Sequence, residues 1–190
     1  HIDSIQNMPI ASFTDTLQSK TIVTISGSIK NFEDEVQQKY SGTAYIKVFD
    51  KSQKISTLGN DGNTPIDFTI QNNILFQGKT SVTNGRFSSE FIIPQDIYYF
   101  KGNGKISLYC TNDSIQGTGY THVPINGTNA FAEIDSIGPQ IRLFMGDTLF
   151  TSGEITSQTP TLLVYVYDQS GINISDAAIG HSITLILNDD

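Results

Sequence analysis

The sequence predicts an all-β protein: an immunoglobulin-like β-sandwich over residues 20–134, followed by a second β-sandwich module that starts at residue 135. Three observations carry that expectation. Short runs with period-two alternation of apolar and polar residues recur along the chain, as half-buried strands require. Between them stand Gly, Asn, Asp and Pro, the residues that turns select for backbone reasons. No apolar stripe with a 3.6-residue period persists long enough to build a substantial helix. The bulk composition agrees. Hydrophobic residues make up 37% and charged residues 16%, Gly numbers 16 and Trp is absent. That balance suits thin β cores and does not indicate charge-driven disorder.

Residues 1–19 are polar and show no clear period, so they read as a linker or the tail of a preceding domain. The first firm element spans residues 21–29, where Val23, Ile25 and Ile29 share one face and Thr24, Ser26 and Ser28 the other. In residues 43–49, Ala44, Ile46 and Val48 point inward by the same alternation. Gly59-Asn-Asp-Gly-Asn-Thr-Pro65 is a loop on local chemistry. Asn84-Gly85 supplies the positive φ angles of a type I′ turn between two alternating segments, with Phe87, Phe91 and Ile93 on one face. Residues 97–100 and 105–109 continue the strand pattern, with a turn expected at Gly102-Asn-Gly104. Residues 119–123 and 130–134 complete about seven short strands, spaced as in an immunoglobulin-like sandwich.

A boundary falls at Asp135-Ser-Ile-Gly-Pro139. Three strands are expected beyond it, at residues 140–145, 162–167 and 182–187. Three strands do not bury two faces, so this module is expected to be incomplete within these residues or to lean on the first. Between the last two lies Asp168-Gln-Ser-Gly-Ile-Asn-Ile-Ser-Asp-Ala-Ala-Ile-Gly-His181, longer than a tight turn and rich in oxygen ligands. Long connections of this kind are often functional.

The net charge of −8, with 11 basic residues scattered along the chain, argues against nucleic acid, whose phosphates need clustered Lys and Arg. No apolar run approaches the ~18 residues needed to span a bilayer as a helix. Cys110, the only cysteine, falls on the inward face with Ile106 and Leu108, which favours a buried, inert thiol over a nucleophile. The histidines are His1, His122 and His181, so Cys110 with His122 or His181 is the only formal Cys/His pairing. Neither stands in a nucleophile loop, and no catalytic residue is assigned. No phosphate loop or dinucleotide fingerprint is present.

Calcium has two candidate loops. Gly59–Pro65 carries dense oxygens without the ligand spacing of a calcium-binding loop, and a solvated turn is the simpler account. In the longer loop, Asp168, Asn173 and Asp176 are the weak metal candidates, and they too lack regular spacing. No other cofactor is implied. Tyr98, Tyr99 and Phe100 either cap the end of a sandwich core or form an aromatic platform for sugar, with Tyr120 as a further stacking candidate.

One short pattern exceeds its compositional expectation. Asp followed by Ser or Thr and an aliphatic residue occurs at Ser4, Thr16, Ser114, Ser136 and Thr148, where chance predicts about one. The triplet resembles the O-glycosylation site of Bacteroidetes envelope proteins, which implies a location outside the cytoplasm. The competing account is that Asp-Ser and Asp-Thr start turns.

A broader resemblance covers nearly the whole chain. Gly138-Pro-Gln-Ile-Arg-Leu-Phe-Met-Gly-Asp-Thr-Leu-Phe-Thr-Ser-Gly153, Asp168-Gln-Ser-Gly-Ile-Asn173 and Ile179-Gly-His-Ser-Ile-Thr-Leu-Ile-Leu187 resemble the region after the catalytic domain of gingipain-type cysteine peptidases, and more narrowly of the sortase of the type IX (Por) secretion system. Residues 21–27, 42–50 and 78–94 are similar to the immunoglobulin-like segment there. The resemblance implies a parent peptidase at the cell surface or outer membrane, which removes C-terminal sorting domains from secreted cargo and attaches the cargo to an anionic lipopolysaccharide. Its catalytic residues would precede His1, so none carries over to a position in this chain. These residues would serve as a non-catalytic interaction and positioning module toward cargo or secretion-system envelope proteins, with lipopolysaccharide as a further partner. Asp176-Ala-Ala178 departs from the Gly-containing turn expected there. A reading of a different class is a carbohydrate-binding β-sandwich of a surface glycan-utilisation protein, stacking sugars on Tyr98, Tyr99 and Tyr120.

Overall fold

The computed structural model describes residues 1–95, 97–98, 100–129, 136–169, 171–172 and 184–186. The protein is all-β among these residues, with two single-turn 3-10 segments as its only helical elements. The strands fall into two compact units, one carrying the strands up to Thr128 and one carrying those from Gln140 to Tyr167.

The first unit contains β1 (Ile2–Ile5), β2 (Met8–Pro9), β3 (Leu17–Ser19), β4 (Ile22–Ser28), β5 (Gly42–Phe49), β6 (Gln53–Ser56), β7 (Asp67–Ile70), β8 (Ile74–Val82), β9 (Arg86–Ile92), β10 (Gly102–Thr111) and β11 (Gln116–Thr128). One sheet has the order β2-β1-β4-β9 and the other β3-β11-β10-β5-β8. Pairing is antiparallel throughout except between β3 and β11, which run parallel. Three strands, β1-β4-β9, thus face four, β11-β10-β5-β8, and β3 is added at the β11 edge. This is an immunoglobulin-like arrangement.

The alternation read from the sequence decides the core. Val23 and Ile25 on β4, and Phe87 and Phe91 on β9, are buried. So are Ala44, Ile46 and Val48 on β5, Ile106, Leu108 and Cys110 on β10, and Val123 and Ile125 on β11. All belong to one hydrophobic cluster, against which Ile29 and Phe76 pack. Phe76 of one sheet stacks on Phe91 of the other with ring centroids 4.6 Å apart, so aromatic contact joins the layers directly.

Three expectations are corrected. Residues 1–19 are not an irregular linker; they supply β1, β2 and β3, and bury Ile2, Ile5 and Leu17. Their period was hidden because the pairing of β1 with β4 shifts register between Ile2 and Ser4, which turns Ile2 and Ile5, three residues apart, to the same side. Secondly, Asn84 and Gly85 do form the tight turn, at φ 52° and 70°. Its arms, however, separate into different sheets, β8 beside β5 and β9 beside β4, and bridge each other only at Thr83 and Arg86. Alternation reports that a strand has a buried face but not which neighbour it takes.

Thirdly, the described residues of 97–100 lie outside any strand, and Gly102-Asn-Gly104 opens β10 instead of forming a turn. Gly104 is there for room: a Cβ would meet the side chain of Ile125 and come within 2.7 Å of the Phe49 carbonyl oxygen. The expected Gly59–Pro65 loop is present, as the tip of a hairpin in which β6 and β7 pair on either side of it. The strand expected at residues 130–134 lies outside the described residues.

In the second unit, β12 (Gln140–Met145) pairs with β13 (Leu162–Tyr167), from Gln140 opposite Tyr167 to Met145 opposite Leu162. Ile141, Leu143, Met145 and Val164 share one side and are all exposed. The third strand expected there, 182–187, falls outside the described residues except for 184–186, which are not in a strand.

Candidate functional site

The five-stranded sheet turns its apolar face to the core, so period-two alternation presents every other residue of β5, β8, β10 and β11 to solvent. Cross-strand register aligns these outward residues in rows. One row runs Lys79, Tyr45, Tyr109 and Thr118 from β8 to β11. The next runs Gln77, Lys47, Ser107 and Tyr120, and a third brings together Phe49, Lys105 and His122. Neighbouring strands lie ~4.8 Å apart, so residues of one row are in side-chain reach of one another.

The chemistry of this face differs from that of the chain as a whole. The protein has 19 acidic and 11 basic residues, yet the three rows contain three lysines and no carboxylate. None of Lys47, Lys79 and Lys105 pairs with a carboxylate among the described residues. Lys105 Nζ lies 4.7 Å from the centroid of the Phe49 ring, a cation–π contact. The Tyr45 and Tyr109 rings sit side by side, centroids 5.9 Å apart, and Tyr120 meets His122 edge-on at 5.6 Å. Tyr45, Tyr109 and Tyr120 are 44%, 37% and 71% exposed. On β8 the half-buried Ile74 stands opposite Phe49, beyond a register shift between Val48 and Phe49.

The formal Cys/His pairing is not assembled. Cys110 faces the core of β10, whereas His122 alternates with buried Val123 and faces out. The two side chains are on opposite faces of one sheet. His181 lies outside the described residues. Burial pushes the Cys110 thiol pKa above its ordinary value. The unfolded chain therefore releases this proton at lower pH than the folded one. The stability linked to Cys110 is complete below the thiol's ordinary pKa and declines as pH rises through it. Iodoacetamide should label Cys110 in the folded protein at pH 8 more slowly than in denaturant, by roughly two orders of magnitude. Equal rates would show the thiol to be accessible.

The remaining candidates are dispersed. Among the described residues, no three His, Cys, Asp or Glu side chains converge as metal ligands. In the Gly59–Pro65 loop, Gly59 and Asp61 adopt left-handed φ angles and the Asn63 side chain donates to the Asn60 carbonyl, so the loop is closed by its own bonds. Asp168 is half-buried, and its carbonyl accepts from Gly171 N–H in a turn that Gly171 permits at φ 84°. Asn173 and Asp176 lie outside the described residues. Tyr98 is held beyond the end of β5: its N–H donates to Asp50 at 2.8 Å and its ring stacks on Phe100. Burial, and secondarily Asp50, raise its pKa. Tyr99 is outside the described residues, and Tyr120 belongs to the outer face above.

Of the candidate glycosylation sites, Ser114, Ser136 and Thr148 are exposed, whereas Ser4 and Thr16 are half-buried. Asp147 accepts from Leu149 N–H at 2.8 Å, and Asp15 from Thr16 N–H at 2.7 Å, so in both triplets the Asp also organises the local backbone. Sequence reasoning singled out Tyr120 but missed Tyr45, Tyr109 and the lysines beside them. The signal was present as the outward half of each alternating strand, but only strand order puts those halves in one place.

Fold and faces define this chain as an immunoglobulin-like β-sandwich followed by a further β unit, with no catalytic dyad among the described residues. Among solved structures it is similar to PorU from Porphyromonas gingivalis, known as a dimeric latent form, with 26% sequence identity and a TM-score of 0.65. The likeness covers 100% of this chain and 18% of that one, so the chain spans under a fifth of its neighbour's length. It agrees in kind with the resemblance read from the sequence. No protein-family model matches the chain. No curated protein matches it either. Among the described residues, no helix is long and apolar enough to cross a membrane, which leaves β-barrels unaddressed.

Proposed function

We propose that this chain is a non-catalytic interaction and positioning module of a type IX sortase-like cysteine peptidase, acting outside the cytoplasm at the cell surface. The observation that carries this is the similarity to PorU along the entire chain, at 26% identity. The separation of Cys110 from His122 across the sheet supports it, because the module then contributes shape and surface and leaves the chemistry elsewhere. Its partners are cargo polypeptides or envelope proteins of the secretion system.

Mass spectrometry of the native polypeptide, captured with an antibody to this chain, tests the reading. The expected result is a longer polypeptide in which peptides from a gingipain-type peptidase domain precede His1. Hexose-bearing peptides are expected first at the exposed Ser114, Ser136 and Thr148, and then at Ser4 and Thr16. A native polypeptide of no more than the 190 residues here would overturn the module reading. Unmodified Ser and Thr at all five positions would remove the glycosylation proposal alone.

A further inference from the structure

We propose that Lys51 Nζ and the side-chain amide of Asn73 condense to an intramolecular isopeptide bond, with Asp50 carrying the protons. The modified site belongs to the chain itself. It goes beyond the module reading and stands on three buried side chains.

The fold brings these groups together. Asp50 and Lys51 follow β5, and Asn73 immediately precedes β8, the antiparallel neighbour of β5. The Asp50 N–H donates to the Asn73 carbonyl oxygen at 2.9 Å, which ties the two strand ends to each other. Lys51 Nζ lies 2.8 Å from Asp50 Oδ1, and Asn73 Nδ2 donates to Asp50 Oδ2 at 3.3 Å. Amine and amide therefore stand at opposite oxygens of one carboxylate. Asp50, Lys51 and Asn73 are 0%, 2% and 5% exposed. Lys51 Nζ is buried without a directed hydrogen bond, and an ammonium with its donors unused is costly to keep there. The lysine stem is confined by Gly102, where a Cβ would come within 3.0 Å of Lys51 Cγ, and its head by the Phe100 ring. The motion left to Nζ is a turn about the end bonds of the side chain, which no hydrogen bond restrains.

The chemistry uses only these groups. Lys51 Nζ passes a proton to Asp50 Oδ1 and becomes an amine. Its lone pair attacks Asn73 Cγ, the new N–C bond forms, and the carbonyl π pair moves onto the Asn73 oxygen. Asp50 gives a proton to Asn73 Nδ2 and takes one from Nζ. The Cγ–Nδ2 bond then breaks, ammonia departs, and the carbonyl re-forms as a secondary amide. Holding amine, carboxylate and amide in one place supplies the proximity and the proton transfer that a free amine and amide lack. The product is an amide beside an uncharged acid where an ion pair stood, so no charge stays buried. The bond also closes residues 52–72 into a ring. Within that ring lies the β6–β7 hairpin, which contributes no residue to the hydrophobic cluster. A covalent link at its base anchors an element that the core does not.

The test is a tryptic digest of the denatured native polypeptide, read by tandem mass spectrometry. Trypsin does not cut after an acylated lysine. The expected product is one species joining residues 48–54 to residues 55–79 through Lys51 and Asn73, lighter than the two peptides together by one ammonia. Asn73→Ala, which leaves the Asp50–Lys51 ion pair in place, and Asp50→Asn should both release residues 48–51 and 55–79 as separate peptides. The same separate peptides at full mass from the native polypeptide overturn the proposal. Loss of ammonia confined to an unlinked 55–79 peptide overturns it too, because that is an asparagine cyclised onto its own backbone. The joined species in native amount from Asp50→Asn would overturn the part given to the carboxylate. Every readout lies within residues 48–79 and none depends on what precedes His1, so failure here is distinct from failure of the module reading.

Discussion

Replacing Lys51 by Ala should lower the unfolding free energy by about 3–5 kcal/mol, a large part of the stability of a domain this size. Asp50 and Lys51 follow β5 and are both buried, with side-chain exposures of 0% and 1%. Their charges meet at 2.8 Å between Nζ and Oδ1. The ammonium is off the angle of a directed hydrogen bond, so its attraction to the carboxylate is chiefly Coulombic. Asp50 also accepts from Lys51 N–H and Tyr98 N–H, each at 2.8 Å, and from the Asn73 amide at 3.3 Å. These donors orient the carboxylate but do not neutralise it. Removing the lysine leaves a buried carboxylate without its counter-charge. The lysine stem matters as well, since it packs where Gly102 approaches and its head lies 5.7 Å from the Phe100 ring. Paired replacement, Asp50→Asn with Lys51→Met, should recover much of the loss, because no charge remains buried. Urea unfolding of the three variants measures this. A loss below about 1 kcal/mol for Lys51→Ala would show that the pair is solvated like a surface ion pair.

The second large effect is at Ile46, in the middle of β5 and inaccessible to solvent. Ile46→Ala should cost about 2–5 kcal/mol, and Ile46→Val about 0.5–1.5 kcal/mol, as transfer and cavity terms add. Ile46 lies opposite Leu108 on one neighbour and Gly78 on the other. Gly78 has no side chain with which to fill the space left behind. Tyr45 and Lys47 flank Ile46 and stand on the outer face, so a shift of β5 toward the cavity also moves these two side chains. Equilibrium denaturation with an unchanged m-value identifies the loss as stability and not a change in the denatured state. A cost under 1 kcal/mol would mean that the two layers close up around the truncated side chain.

Much of the first unit was legible because burial on a strand leaves a period-two trace. Val23 and Ile25, Ala44 to Val48, Phe87 to Ile93 and Ile106 to Cys110 all face the core as their spacing required. The trace failed where geometry departs from two. The shift between Ile2 and Ser4 disguised β1 as linker. Gly102 and Gly104 looked like turn residues because glycine serves turns and close packing alike. Gln53–Ser56 and Asp67–Ile70 were missed because a hairpin that stays outside the core has little apolar contrast to reveal it.

By itself, then, the sequence determined the fold class, the inward residues of the long strands and the turn at Asn84-Gly85, since each depends on neighbours within a few positions. It also determined that Cys110 is buried, through the parity of β10. Tertiary structure alone decided strand order, and everything that follows from order. It sent β8 and β9 into different sheets, set Cys110 and His122 on opposite faces, closed Lys51 over Asp50, and gathered Tyr45, Tyr109 and Tyr120 with three lysines. Those residues are up to 75 positions apart between Tyr45 and Tyr120. Hydrogen-bonded register brings them together, and pairing between strands leaves no mark on the local sequence of either one.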